Sequence, residues 1–152
     1  MNRKLDIEFP DFGITVTATM LDDSEPELCN LVWGKLPLES ACVNTLSTGD
    51  FYISRVRPPH EAPKKVGTQD NPIGRKLTYL CDRKPGDIGF NGTDFFVNYG
   101  PNVTEPLPGH GSVFAKVNPE HIDAFYKAGK LVWNHEKVVH DVCRMIVKRK
   151  ED

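Results

Sequence analysis

The residues best placed to do chemistry are two arginines and the loop that follows them. Arg55 and Arg57 flank Val56 in an otherwise apolar stretch, so both side chains fall on one face of an extended strand. If that face lined a barrel mouth, the guanidinium pair would grip a carboxylate or polarise an amide carbonyl through paired N–H donors. On an outer edge strand the same pair would simply be solvated. His60 and Glu61 come next, in the proline-rich loop. An imidazole near a carboxylate titrates close to neutrality and can move a proton or activate water. Adjacent residues on an extended loop point apart, however, so the two need not cooperate. His110 sits between Gly109 and Gly111, where missing side chains let backbone approach a bound molecule. Its bland alternative is a turn histidine bonded to backbone.

The other reactive types point elsewhere. Cys29, Cys42, Cys81 and Cys143 show no C-x-x-C spacing, which argues against a zinc site or a disulfide framework. Cys42 or Cys81 would need a neighbouring base to become a nucleophile. His121, His135 and His140 lack metal-ligand spacing, and no metal or organic cofactor is implied. Nineteen Lys and Arg against 21 Asp and Glu give a net charge of −2. That balance argues against nucleic-acid and membrane-surface partners, which call for a basic excess. The sequence has no apolar run near the ~20 residues of a membrane span. Met1-Asn2-Arg3-Lys4 leads into a strand without a signal-peptide core, so a cytoplasmic protein is expected.

The elements that position these groups follow from periodicity, and 152 residues read as a single domain, 1–152. Leu5, Ile7 and Phe9 alternate with Asp6 and Glu8 as in a half-buried strand. Pro10 to Gly13 turns the chain into a return strand over 14–20. Ser24 and Glu27 form an S-x-x-E capping box, with Pro26 in the first turn, ahead of a helix that Gly34 and Pro37 end near Lys35. Ser40–Thr48 and Phe51–Arg57 are expected as a hairpin about Gly49-Asp50, with Ala41, Val43, Phe51 and Ile53 inward. A long loop runs from Pro58 to Arg75, a length that often carries function. A strand is expected over Leu77–Cys81. Pro85-Gly86 then opens a hairpin turned by Asn91-Gly92, which suits two central positions at positive φ. A strand over Ser112–Val117 leads to a helix started by Asn118-Pro119-Glu120, ending at Gly129 or running on to Trp133. The β-branched content of Val138–Val147 favours a final strand over a helix. The sum is a mostly β protein, a closed antiparallel barrel of about eight strands with two capping α-helices.

Several segments resemble cyclophilin. Asn91-Gly92-Thr93-Asp94-Phe95-Phe96-Val97 is similar to N-G-S-Q-F-F-I, and His110-Gly111-Ser112-Val113-Phe114-Ala115-Lys116-Val117 is similar to H-V-V-F-G-K-V with one extra residue. Tyr52-Ile53-Ser54-Arg55-Val56 resembles the F-H-R-I strand that bears an active-site arginine. The hairpin Pro85-Gly86-Asp87-Ile88 with Phe95 to Pro101 is more similar still to the cyclophilin-like small proteins of bacteria. The resemblance implies a cyclophilin-like barrel with Arg55 and His110 in the groove. It makes Phe96 a pocket wall, with Asn98 and Tyr99 beside it. Relatives that handle 5-oxoproline and allophanate imply amide chemistry on small molecules. The segment Pro58 to Lys65 departs from P-G-F-M-x-Q-G-G-D, and no tryptophan precedes the histidine, so the floor that receives a substrate proline is missing.

The expected function is therefore an enzyme that hydrolyses or isomerises a cyclic amide or a related carbonyl or carboxylate compound. Arg55, His110 and His60 would be catalytic, and Arg57, Glu61, Phe96, Asn98 and Tyr99 would bind substrate. The alternatives are a peptidyl-prolyl isomerase or peptide-binding module, and a non-catalytic homo-oligomer packed through Trp33 or Trp133.

Overall fold

Period-two alternation drives the first hairpin: Leu5, Ile7 and Phe9 are each at most 1% exposed. They lie on β1 (Lys4–Phe9), which pairs antiparallel with β2 (Ile14–Met20). The computed structural model describes residues 2–44, 48–57, 73–107, 109 and 111–151, with only the backbone at Arg57. Its further strands are β3 (Leu38–Asn44), β4 (Gly49–Arg57), β5 (Asp87–Phe90), β6 (Asp94–Val103), β7 (Val113–Val117) and β8 (Cys143–Arg149). They close an antiparallel barrel in the order β1-β2-β7-β5-β6-β4-β3-β8. Phe90, Phe95 and Phe114 pack inside it, with ring centroids 4.8 Å apart for Phe90 and Phe95 and 6.1 Å for Phe95 and Phe114.

Helices close both ends. The first, α1 (Pro26–Lys35), buries Leu28, Cys29 and Val32 and lies where β1 begins and β8 ends: its Asn30 and Trp33 accept hydrogen bonds from Arg3 and Arg149. Trp33 is held between the Arg3 and Arg149 guanidiniums, 5.0 and 4.8 Å from its ring. The capping box does not form. Glu25 holds the N-cap, and its carboxylate turns away to accept the backbone N–H groups of Arg75 (2.7 Å) and Lys76 (2.9 Å). Two otherwise orphaned tertiary donors outweigh a local cap when Pro26 has already removed one N–H from the first turn.

At the other end, Pro119–His121 makes a single 3-10 turn and feeds α2 (Ile122–Lys137). This helix passes straight through Gly129. A Cβ there would lie 2.7 Å from Tyr99 Cδ1, so the glycine marks close helix-to-strand approach rather than a helix end. Glu136 accepts from the Asn44 backbone and side chain, and Lys130 donates to Asp50.

Three further expectations need correction. The 77–81 stretch is not a strand: Leu80–Asp82 is one 3-10 turn, hydrogen-bonded to Leu107 and Glu105, on a barrel already closed without it. The β5–β6 turn has Gly92, not Asn91, at positive φ (105°). Asn91 instead uses Oδ1 to accept from the Thr93 and Asp94 backbone, and its own N–H bonds to Asp94 O. In β3 and β4 the phase is reversed. Ser40, Cys42, Asn44, Tyr52, Ser54 and Val56 are the buried set; Ala41 is half-buried and Val43 is 45% exposed. Phe51 and Ile53 belong to a second cluster with Leu80, Phe96 and Val103 on the outer wall.

All four cysteines are free; Cys29, Cys42 and Cys143 are buried and Cys81 is exposed. Burial pushes each of the three buried thiols up from 9.0 to about 12. At pH 8 a thiol reagent is therefore expected to label Cys81 alone, and all four after denaturation, with mass spectrometry counting the adducts. Since those thiols keep their protons when folded but lose them when unfolded, their contribution to stability is full below pH 9 and falls as pH rises towards 12. Labelling of a second cysteine in the folded protein would contradict this burial.

Candidate functional site

The outer wall of β4, β6 and β5, towards the α1 end of the barrel, carries Arg55, Phe96 and Asn98 of the candidate residues. Arg55 alternates with inward Ser54 and Val56, so it faces outward rather than into a mouth. Its Nε and Nη2 donate to Asp94 at 2.7 and 3.0 Å, across the Arg55–Asp94 strand pair. The ion pair holds Arg55 further into its charged form, first through those hydrogen bonds and then through Asp94's charge. The side chain stays 66% exposed, with the Nη edge away from Asp94 open to a ligand. Phe96, two residues along β6, stacks on Phe51 with centroids 6.2 Å apart and planes 20° apart.

Next to this row lies a residue that sequence reasoning passed over. Arg83 is only 5% exposed, and its guanidinium lies over Gly89 of β5, where a Cβ would meet Nη1 at 2.6 Å. Gly109 is close on the other side, its Cβ position 3.0 Å from Arg83 Cζ. Nη2 donates to Gly111 O at 2.7 Å, while Nε and Nη1 have no partner. Burial pulls the guanidinium down to about 10, against the pull of Asp87. Asp87 is itself taken by the Lys84 N–H and by Lys116. Asn98 Oδ1 and Ser112 Oγ, both fully buried, are unpartnered too. Asn98 Nδ2 and the Arg83 N–H both bond to Leu80 O, and the Gly89 Cβ position lies 3.1 Å from Ser112 O, which draws these groups into one cluster. The register of β5 against β7 also shifts at Gly89, and such irregularities re-aim side chains near functional sites.

In sequence, Arg83 sits in Cys81-Asp82-Arg83-Lys84-Pro85, which reads as a solvated turn. The available signal was glycine: Gly89 inside a strand and the Gly109–Gly111 pair mark places where something large approaches the backbone. Of the expected site residues, Arg55, Phe96 and Asn98 share the outer wall. Tyr99 faces the opposite way, into the barrel, 5.8 Å from Tyr52. His60, Glu61 and His110 lie outside the described residues, as does the Arg57 side chain. Hollows of about 330 and about 300 Å³ lie between the segment 73–78 and the start of α1, the first also lined by Asp87, Val113 and Lys116. A larger one, about 560 Å³, lies at the chain ends near Pro37 and Arg149. Of its charged residues, Asp6 pairs with Lys150 and Lys148 with Glu8. Among the described residues no three His, Cys, Asp or Glu side chains gather as a metal site. No helix among the described residues is long and apolar enough to cross a membrane.

Fold and wall together define a closed eight-stranded antiparallel barrel with a cluster of buried, unpartnered polar groups at its outer wall. Known proteins carry that comparison further. The structure of McbB in complex with tryptophan is similar over 97% of this chain, with a TM-score of 0.78 and 28% identity. The chain spans 45% of the McbB chain. The solution structure of the hypothetical protein AF2241 from Archaeoglobus fulgidus is similar over 98% of this chain and 95% of its own, with a TM-score of 0.52. At 15% identity it shows the fold alone. No protein-family model matches the chain, and no curated protein does. These comparisons support the closed antiparallel barrel and do not confirm the cyclophilin-like assignment.

Proposed function

We propose that the chain binds a small molecule bearing a carbonyl or carboxylate on the outer wall of β4, β6 and β5. There it hydrolyses or isomerises that molecule, a cyclic amide or a related compound. The observation that carries this reading is the Arg55–Asp94 pair. Asp94 fixes the guanidinium along one edge and leaves the other edge of a rigid donor fork open beside Phe96. Arg55 would polarise the carbonyl, with Arg57 beside it, and His110 or His60 would transfer the proton, with Glu61 nearby. The likeness to McbB, a protein solved with tryptophan, supports a small-molecule ligand. The prolyl-isomerase alternative has Arg55 and Phe96 on one wall in its favour, but Phe96 is 5% exposed and offers a proline ring little surface.

A thermal-shift panel of tryptophan, other amino acids, cyclic amides and proline peptides tests the reading. A ligand at about 100 times its dissociation constant is expected to raise the melting temperature by roughly 5–10 °C, from about 2.7 kcal/mol of mass action. Arg55→Ala should abolish the shift and any turnover of the hit. Stabilisation by proline peptides alone, or unchanged binding and turnover in Arg55→Ala, would remove the assignment.

A further inference from the structure

We infer that Arg83, packed over Gly89 on the outer wall, is the anchor of a carboxylate subsite and takes a planar carboxylate edge-on. The inference rests on the small-molecule reading above, in that the carboxylate belongs to the ligand held at Arg55. Three observations carry it.

The first is an unspent fork. A guanidinium has five N–H groups in a plane: Nε and Nη2 present one parallel pair, and Nη1 and Nη2 present the other. Nη2 donates to Gly111 O, and both of its neighbours are unpartnered. Whichever hydrogen Nη2 gives to Gly111, its other one lies parallel to an N–H on a nitrogen without a partner. A two-pronged site for a carboxylate therefore survives on one edge.

The second is charge. A cation that is 5% exposed is costly to keep without an anion. Arg83 makes no ion pair among the described residues, and Asp87, the carboxylate that acts on it, is bonded to the Lys84 N–H and Lys116. A bound carboxylate would supply the missing charge.

The third is construction. Gly89 and Gly109 leave the space that the guanidinium fills, since a Cβ on either would collide with it. Asn98 and Ser112 add two more buried polar atoms without partners. With Nδ2 bonded to Leu80 O, the Asn98 Oδ1 is the free end, and it can only accept. The ligand is thus a carboxylate with a donor near it, continuing towards Arg55.

Titration calorimetry with matched probes tests this: benzoate against benzamide, which keeps the shape and loses the charge. Benzoate is expected to bind saturably, and benzamide about tenfold more weakly or worse, because hydrogen bonds between charged partners are lost. Arg83→Lys, which keeps a charge but not the fork, should weaken benzoate by a similar factor. Equal binding of benzoate and benzamide, or undiminished benzoate binding in Arg83→Lys, overturns the subsite and leaves the Arg55 reading standing. So does a lack of benzoate binding in a protein that responds to the thermal-shift panel. Silence in both experiments removes both. The probe pair needs no variant, so a misfolded Arg83→Lys protein does not shield the proposal.

Discussion

Gly111→Ala is expected to destabilise the protein by about 3 kcal/mol or more, because the added methyl has nowhere to go. Its Cβ would fall onto the Phe90 carbonyl, 2.6 Å from the carbonyl carbon and 3.2 Å from Asn91 N. These are backbone atoms at the end of β5, pinned by the Phe90–Phe95 pair and by the Asn91-to-Asp94 hydrogen bond, so no rotamer change relieves the clash. Gly111 also accepts the one hydrogen bond given by the Arg83 guanidinium and bridges Ile73. The same substitution should therefore lower benzoate affinity along with stability. Urea denaturation gives the first number and calorimetry the second. A Gly111→Ala protein with an unchanged urea midpoint would show that the end of β5 yields freely, and the cradle around Arg83 would lose its rigidity.

The second large effect concerns the interior. Phe95→Ala should cost about 3–5 kcal/mol, the range for a buried aromatic truncated in a core that cannot collapse around it. Phe95 is fully buried, and its ring is held between Phe90 and Phe114 on neighbouring strands of a closed ring. Closure is what prevents collapse, since the strands cannot move inward without breaking their ladders. Against a total stability of about 5–15 kcal/mol, such a loss is severe. A drop under about 1 kcal/mol would mean that the strands close up over the cavity. Benzoate affinity measured below the new melting temperature should be unchanged, because Phe95 points away from the outer wall.

The two substitutions also mark where sequence was informative. Where one face of a strand is apolar and the other polar, periodicity resolved the element, as with Leu5, Ile7 and Phe9 in β1. The β-branched content over 138–147 favours the final strand, and the structure begins it only at Cys143. Periodicity failed in β3 and β4 for a definite reason. The inward positions there include Ser40 and Ser54, hydrogen-bonded to each other at 2.6 Å, with Ser40 bonded onward to Met145 O at 2.8 Å. The outward ones include Phe51 and Ile53, buried by a second cluster. Internal polar pairing and an apolar outer wall invert the usual signal. Arg55 could be placed on a strand, but which way it faced hung on that same phase. Arg83 was illegible for a related reason: burial of its guanidinium depends on three glycines 6, 26 and 28 positions further on, and no local pattern links them.

Ring closure has one more consequence. Each of the eight described strands has a neighbour on both sides, so none of them is an edge strand. An extended polypeptide cannot be recognised here by adding itself as a ninth strand, the route many peptide-docking modules use. A ligand on the barrel's flank, as proposed here, would be selected through side chains, with discrimination coming from shape and charge rather than from the sheet's own ladder.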